Sequence, residues 1–257
     1  MADIPKTHPR YHSLMLRERL AFGLDNGLTS KKGLIAHGRG EAFYYMLGEK
    51  THDFARESID VSLAMLVEAE RPIISVNGNT TALASDEIID FAYALIKAGK
   101  DCAIEVNIFT FTKERADKIC KFFTDKISEK GYKIDVLISR TEGALELPDI
   151  EHNRRFMHPD GLGRADVALV MLEDGDRCEA LANSGRKVIS VDLNPMSRSA
   201  TKAHVNICDE LTRCLVVMTN RLAEVSSLTS AERQKLISDF DSEKAIKRSL
   251  KALRESF

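Results

Sequence analysis

The chain has 257 residues, 44% of them hydrophobic and 30% charged, with a formal net charge of -2. That is enough apolar material for a substantial core, and the near-neutral balance gives no support to a nucleic-acid partner held on a broad basic face. No stretch approaches the length of a membrane span and MADIPKTHPRYH lacks the apolar core of a signal peptide, so the expectation is a cytoplasmic protein without nucleic-acid or membrane partners.

After a lead containing Pro5 and Pro9, residues 11–26 carry Leu14, Leu16, Leu20, Ala21 and Leu24 at helical spacing, flanked by Arg17 and Arg19 and stopped at Gly27. A second helix starts near Thr29 or Ser30, covers 34–47 and ends at Gly48. It contains Ile35-Ala36-His37-Gly38-Arg39-Gly40-Glu41, and two glycines within a helical pattern cost stability unless something approaches the backbone closely. Packing on another helix is the favoured explanation, and a ligand beside His37 and Arg39 is the alternative. Residues 51–70 form a third helix, with Phe54, Ile59, Leu63, Leu66 and Val67 mainly on one face.

Alternating units follow. Residues 72–76 read as a strand ending in a polar loop, Asn77-Gly78-Asn79-Thr80, and 86–97 as a helix closed by Gly99. Residues 102–109 are the next strand, Thr112 caps a helix through Lys130 stopped by Gly131, and 133–139 are another strand. Such alternation predicts a parallel sheet with right-handed crossovers. Residues 140–164 are polar, carry Pro148 and Pro159, and show no period. They read as a long functional loop or an irregular excursion containing His152, Arg154, Arg155 and His158, with a solvated surface loop as the plainer interpretation.

The stretch 165–199 is a βαβ unit: strand 167–172, helix 177–184 closed at Gly185, strand 188–193. Asp176 and Glu179 have capping-box spacing, and Asn194-Pro195 reads as a second cap with proline at a first helical position. The loops 173–177 and 192–199 leave parallel strands at their carboxyl ends and face one crevice, where open α/β sheets bind ligands. A strand-ending Asp192 suits ribose hydroxyls, and Arg198 with Ser199 suits phosphate. Residues 204–208 are a short strand and 210–225 a helix. Thr229 and Glu232 have capping-box spacing before a final helical region to Phe257, interrupted near Asp239-Phe240-Asp241. The whole is one α/β domain, 1–257: an N-terminal helical region (1–70), a sheet core flanked by helices (71–225) and a C-terminal helical tail (226–257).

Familiar single motifs are missing. Gly38-x-Gly40 has no preceding strand and Phe43 stands at the third glycine, while Gly161-Leu162-Gly163 precedes a strand instead of following one. There is no phosphate loop of the G-x-x-x-x-G-K-[ST] type and no G-x-S-x-G elbow. No spacing couples a histidine to a nucleophilic Ser or Cys. The five cysteines contain no C-x-x-C pair, so neither a disulfide framework nor a zinc ribbon is indicated.

Taken together, HPRYxSLxLRERL, GLIAHGRGEAF, NGNTTAL, LEDGDRCEAL and VIxVDLNPxSR resemble the archaeal phosphopantothenate synthetase family, the 4-phosphopantoate:beta-alanine ligases of coenzyme A biosynthesis. The resemblance spans nearly the whole chain, including the tail ISDFDSEKAIKRSLKAL, and is poorest over 153–164. It implies a Rossmann-like, homodimeric enzyme that consumes ATP, joins 4-phosphopantoate to beta-alanine through an acyl-adenylate, and releases AMP and diphosphate. The ATP-binding positions it implies are Arg17, Arg39, Asp192, Leu193, Asn194, Arg198 and Ser199. Glu210 and Leu211 stand where the family has Asn-Ile, and a carboxylate accepts hydrogen bonds but cannot donate them as an amide does.

Magnesium on the phosphates would use few protein carboxylates, with Asp174 and Asp176 as contributors and no ligand set assigned. The candidates for holding 4-phosphopantoate are Arg155, Arg177 and the loop bearing Asn77 and Asn79, with His37 beside Arg39. No catalytic residue is assigned. The helical hairpin bearing Arg17 and Arg39 is also a candidate dimer surface that reaches a partner's active site. The runners-up are an S-adenosylmethionine-dependent methyltransferase and a non-catalytic nucleotide sensor built on the same crevice.

Overall fold

The computed structural model describes residues 4–256; the first three residues of the lead and Phe257, the end of the expected last helix, lie outside them. Three helices precede the sheet: α1 (Tyr11–Asp25), α2 (Lys31–Met46) and α3 (Asp53–Glu68). Ser30 caps α2 by accepting from the Gly33 amide. Helix α3 buries Phe54, Ile59, Leu63 and Leu66, whereas α2 buries only Tyr44. Most of α2 therefore derives little stability from packing in this chain.

The core continues with β1 (Pro72–Val76), α4 (Gly78–Lys97), β2 (Ala103–Val106), α5 (Lys113–Glu129) and β3 (Val136–Ile138), then a small ribbon of β4 (Leu145–Glu146) and β5 (Phe156–Met157). It resumes with β6 (Val167–Met171), α6 (Gly175–Asn183), β7 (Lys187–Val191), α7 (Arg198–Lys202) and β8 (Val205–Ile207), and ends with α8 (Leu211–Ser227), α9 (Ser230–Asp239) and α10 (Ser242–Arg254). The main sheet runs β3-β2-β1-β6-β7-β8 with every pairing parallel. With the ribbon set aside, this is the doubly wound order of a Rossmann-like sheet, whose direction of winding reverses between β1 and β6. Helices cover both faces, which is why β1 and β6 are buried along their whole length and read as unbroken apolar runs.

Three local expectations are corrected. Asn77-Gly78-Asn79-Thr80 is not a loop before a helix at Asp86 but the cap and first turn of α4. The Asn77 side chain accepts from the amides of Asn79 and Thr80, and Thr80 Oγ1 accepts from the Asn77 amide. A kink at Ala84 divides α4, and the apolar pattern reveals only its second part. Helix α6 starts at Gly175, and Asp176 and Glu179 bind Arg198 instead of closing a capping box. Asn194-Pro195 forms a turn in which Asn194 accepts from the Met196 amide. Ser197 is the cap of α7, because the short Asn side chain satisfies its own turn first.

The segment 140–164 is a strap, not a solvated excursion. The buried Glu105 carboxyl on β2 anchors it, accepting from the amides of His158 (3.2 Å) and Leu162 (2.6 Å) and from Ser139 Oγ (2.6 Å). A Cβ on Gly161 would lie 2.1 Å from Glu105 Oε2, so the close approach requires glycine. Burial pushes the Glu105 carboxyl above its ordinary value of 4.5, against the opposing pull of its hydrogen bonds. The folded chain thus holds this proton more tightly than the unfolded chain. The associated stability is complete below 4.5 and declines as pH rises through the higher folded value. Thermal melts of wild type and Glu105→Gln across this window should show wild type losing stability relative to the variant as pH rises; parallel curves would contradict the assignment. Among the described residues, no helix is long and apolar enough to cross a membrane.

Candidate functional site

A cavity of about 660 Å³ opens at the carboxyl edge of the sheet, floored by the loops after β6, β7 and β8 and roofed by α2. Such edges collect ligands because backbone amides and loop side chains converge there. The floor begins with a backbone irregularity. Leu172, just past β6, has φ 48°, in the left-handed region that a leucine adopts only at a cost of about 1–2 kcal/mol. It is held there by Asn77 Nδ2, which donates to the carbonyls of Met171 and Leu172 (3.0 Å each), and by its own amide, which donates to the Val191 carbonyl.

This turn directs Glu173 inward. Its carboxylate lies between Arg154 of the strap and Arg177 of α6, the latter 2.5 Å away, while its carbonyl accepts from Ser199 Oγ. Arg177 also donates to Ser75 Oγ on β1 (2.9 Å) and to the Arg154 carbonyl (3.2 Å). Glu173 therefore ties together the strap and α6 through its carboxylate and the start of α7 through its carbonyl. Burial lowers Arg154 to about 9 and Arg177 to about 10, the two guanidinium charges each being costly to desolvate. Gly175 opens α6, and a Cβ there would lie 2.3 Å from Arg198 Cβ, so only glycine lets α7 approach the amide end of α6.

Asp192 ends β7. Burial pushes its carboxyl up, opposed by Ser197 Oγ (2.6 Å) and the Asn194 amide (2.9 Å), which its two oxygens accept. It shapes the loop that brings Leu193 and Asn194 to the cavity wall. Glu210 caps α8, accepting from the amides of Thr212 and Arg213 (3.0 Å each), and pairs with His12 Nε2 at 2.9 Å. Burial raises this carboxyl, but the hydrogen bonds from His12 and Thr212 outweigh it and hold the group below its ordinary value. It is therefore an anion at neutral pH, and its backbone contacts leave it committed to helix α8.

From the roof, His37 and Arg39 face the same space. The His37 Nε2 is shielded and has no hydrogen-bond partner among the described residues; burial lowers its ring below 6.5, so it is neutral at pH 7. Arg39 makes no hydrogen bond or ion pair among the described residues, and its charge partly opposes the burial that raises Asp192. A Cβ on Gly38 or Gly40 would meet nothing within 4 Å. Packing within the chain therefore does not account for these glycines; Gly40 lies on the cavity wall, open to a ligand, whereas Gly38 does not line the cavity. Alanine at either position should raise stability by about 1 kcal/mol through helix propensity, and Gly40→Ala should also lower ligand affinity. Chemical denaturation combined with nucleotide titration checks both signs, and unchanged affinity would remove the ligand explanation.

The fold gathers most of the expected residues. Asn79, Arg198 and Ser199 line the cavity, as do Leu211 and Glu210 from the start of α8. Others lie elsewhere. Arg17 pairs with Glu41 at 2.9 Å without lining the cavity, Asn77 is consumed by the cap of α4, and Arg177 is completely buried beneath the floor. Arg155 pairs with Glu146 at 3.0 Å on the outside of the strap, and its neighbour Arg154 is the one that points inward. Arg154 and Glu173 were not singled out from sequence. Adjacent arginines in an aperiodic segment carry no signal of which one is buried.

Among the described residues, no group of three or more His, Cys, Asp or Glu side chains could hold a metal. Asp174 on the cavity wall turns its shielded Oδ2 to Arg154 at 3.4 Å, and the Asp176 carboxylate is taken by Arg198.

Comparison with known proteins converges on one family. A family model described as phosphopantothenate/pantothenate synthetase matches residues 54–256. The chain is 40% identical over 256 residues to a 4-phosphopantoate–beta-alanine ligase of Thermococcus kodakarensis, covering 99% of this chain and 94% of that protein. It is 40% identical over 255 residues to the ligase of the same name from Methanosarcina mazei, covering 99% and 96%. Against the Methanospirillum hungatei JF-1 protein of that name it is 45% identical over 214 residues, covering 82% of each. The family model starts within α3, but the pairwise similarities extend across the helices that carry His37 and Arg39.

Proposed function

The chain belongs to the phosphopantothenate/pantothenate synthetase family, and from that membership we propose that it is an ATP-dependent 4-phosphopantoate–beta-alanine ligase releasing AMP and diphosphate. The observation that carries the chemistry is the single cavity in which the amide end of α6, Arg39 and the loop after β7 converge. The Asp192 to Asn194 loop receives the ribose end of ATP. The Asp174-Gly175 turn and Ser199 receive its phosphates, with Arg39 above them. A methyltransferase reading loses its footing because no glycine-rich turn follows β1, where Asn77 starts α4 directly.

A carboxylate is a poor electrophile. One of its oxygens attacks the α-phosphorus of ATP, diphosphate leaves, and the acyl-adenylate forms; the amine nitrogen of beta-alanine then attacks the carbonyl carbon, AMP leaves, and the nitrogen loses a proton. The protein's part is to align two anionic reactants and stabilise charge at the α-phosphate with donors already in place. Magnesium would arrive on the phosphates and neutralise part of their charge, with the Asp174 carboxylate on the cavity wall to help hold it. A homodimer and a cytoplasmic location belong to the same proposal. The exposed Ile35 and Tyr45 on the sparsely packed α2 support the former.

The test is AMP formation by the purified protein with ATP and magnesium, omitting 4-phosphopantoate or beta-alanine in turn. AMP only from the complete mixture supports the ligase. Its absence with folded protein and every component present overturns it.

A further inference from the structure

The strap carries a residue whose placement exceeds what holding a loop down requires. Glu105 already fastens it at His158 and Leu162. Yet the strap also sends Arg154, 5% exposed, to the reversal point of the sheet. There its guanidinium binds Glu173 and stands 3.4 Å from the Asp174 carboxylate, while its carbonyl accepts from Arg177. Glu173 in turn accepts from the Asp174 amide (2.8 Å) and from Ser199 Oγ (2.5 Å). Every contact of this guanidinium therefore acts on the turn 173–175 that opens α6. Shielded nitrogens without hydrogen-bond partners lie at the same place, Arg154 Nε and Arg177 Nη2, and the shielded Asp174 Oδ2 has only the Arg154 ion pair. Such atoms stay unsatisfied only where the surroundings hold them or where another group completes them.

We propose that Arg154 is a positioning residue for the phosphate chain of the nucleotide, holding Glu173 and Asp174 so that the turn opening α6 presents its amides and one carboxylate oxygen to the cavity. The strap then forms part of the active site although Arg154 itself does not line the cavity. The ribose end is held independently of it: residues 192–194 are fixed by bonds to Ser197, Asn206 and Cys208 and by the Asn194 amide on Asp192, none of which involves Arg154 or Glu173. This rests on the ATP-dependent ligase reading above, and it separates the two ends of the nucleotide.

The experiment compares binding of ATP with magnesium and of adenosine to the full-length wild type and to Arg154→Met and Arg154→Lys, by calorimetry, with thermal melts alongside. Arg154→Met should weaken ATP roughly 10-fold or more and slow AMP formation roughly 100-fold, as expected of a displacement on the order of 1 Å at the phosphates. Adenosine affinity should stay within about 2-fold of wild type, because the bonds that hold residues 192–194 involve neither Arg154 nor Glu173. Arg154→Lys keeps the charge but not the two-pronged geometry, and should lie between wild type and Met. If Arg154→Met does not fold, the Lys variant carries the same comparison. Equal weakening of ATP and adenosine, or no weakening of either in a folded variant, overturns the positioning role. Failure of the ligase reading is distinguishable: wild type itself would then bind no ATP, or would make no AMP from the complete mixture.

Discussion

Arg39→Ala is expected to slow AMP formation roughly 100-fold or more while leaving the melting temperature nearly unchanged. The two halves of this expectation have separate causes. Arg39 has no hydrogen bond or ion pair among the described residues and stands on α2, a helix that buries only Tyr44, so its removal breaks little that holds the fold together. It nevertheless faces the cavity, close enough to Asp192 for its charge to oppose the upward push that burial gives that carboxyl. A cation held ready over a site where two anions must meet stabilises the charge that develops in the transition state. Loss of one such donor typically costs 100-fold to 1000-fold. Assays of the folded variant with the complete substrate mixture decide the matter, and near-wild-type turnover would remove Arg39 from the site.

Glu173→Ala should give the largest loss of stability of any single change at the site, about 3–5 kcal/mol, seen as a melting temperature lower by roughly 10 °C. The variant leaves Arg154 and Arg177 facing one another with no carboxylate between them, in a region where both side chains are almost fully buried. Removing one partner of a buried pair leaves the full desolvation cost of the other. Asp176→Ala is the control. Its partner Arg198 is more than half exposed, so solvent screens the pair and the change should stay within about 1 kcal/mol. Urea denaturation of both variants should separate them clearly, and similar midpoints would contradict the central role assigned to Glu173.

Much of the fold was legible because its signals are local. The strands at β1 and β6 are continuous apolar runs, Thr112 and the Thr229–Glu232 pair cap the helices they were expected to cap, and glycines close α4, α5 and α6. Errors arose where two local devices competed for one side chain. Asp176 and Glu179 have the spacing of a capping box, yet each finds a stronger partner in Arg198, a residue from the next unit. Asn77-Gly78-Asn79-Thr80 is polar throughout and reads as a loop, although the Asn77 side chain is a strong cap for α4.

The sequence by itself determined the class of sheet, the βαβ unit at its centre, the two facing loops and, through motifs scattered along the chain, the family. These depend on neighbours within a few residues or on residue identity alone. Only the tertiary structure decided that Arg154 and not Arg155 enters the site, that Arg177 lies beneath the floor, and that Gly38 and Gly40 face open space. In an aperiodic strap no repeat tells which side chain points inward. The answer is set by a carboxylate, Glu173, that lies on another element and is turned into place by the left-handed backbone of Leu172.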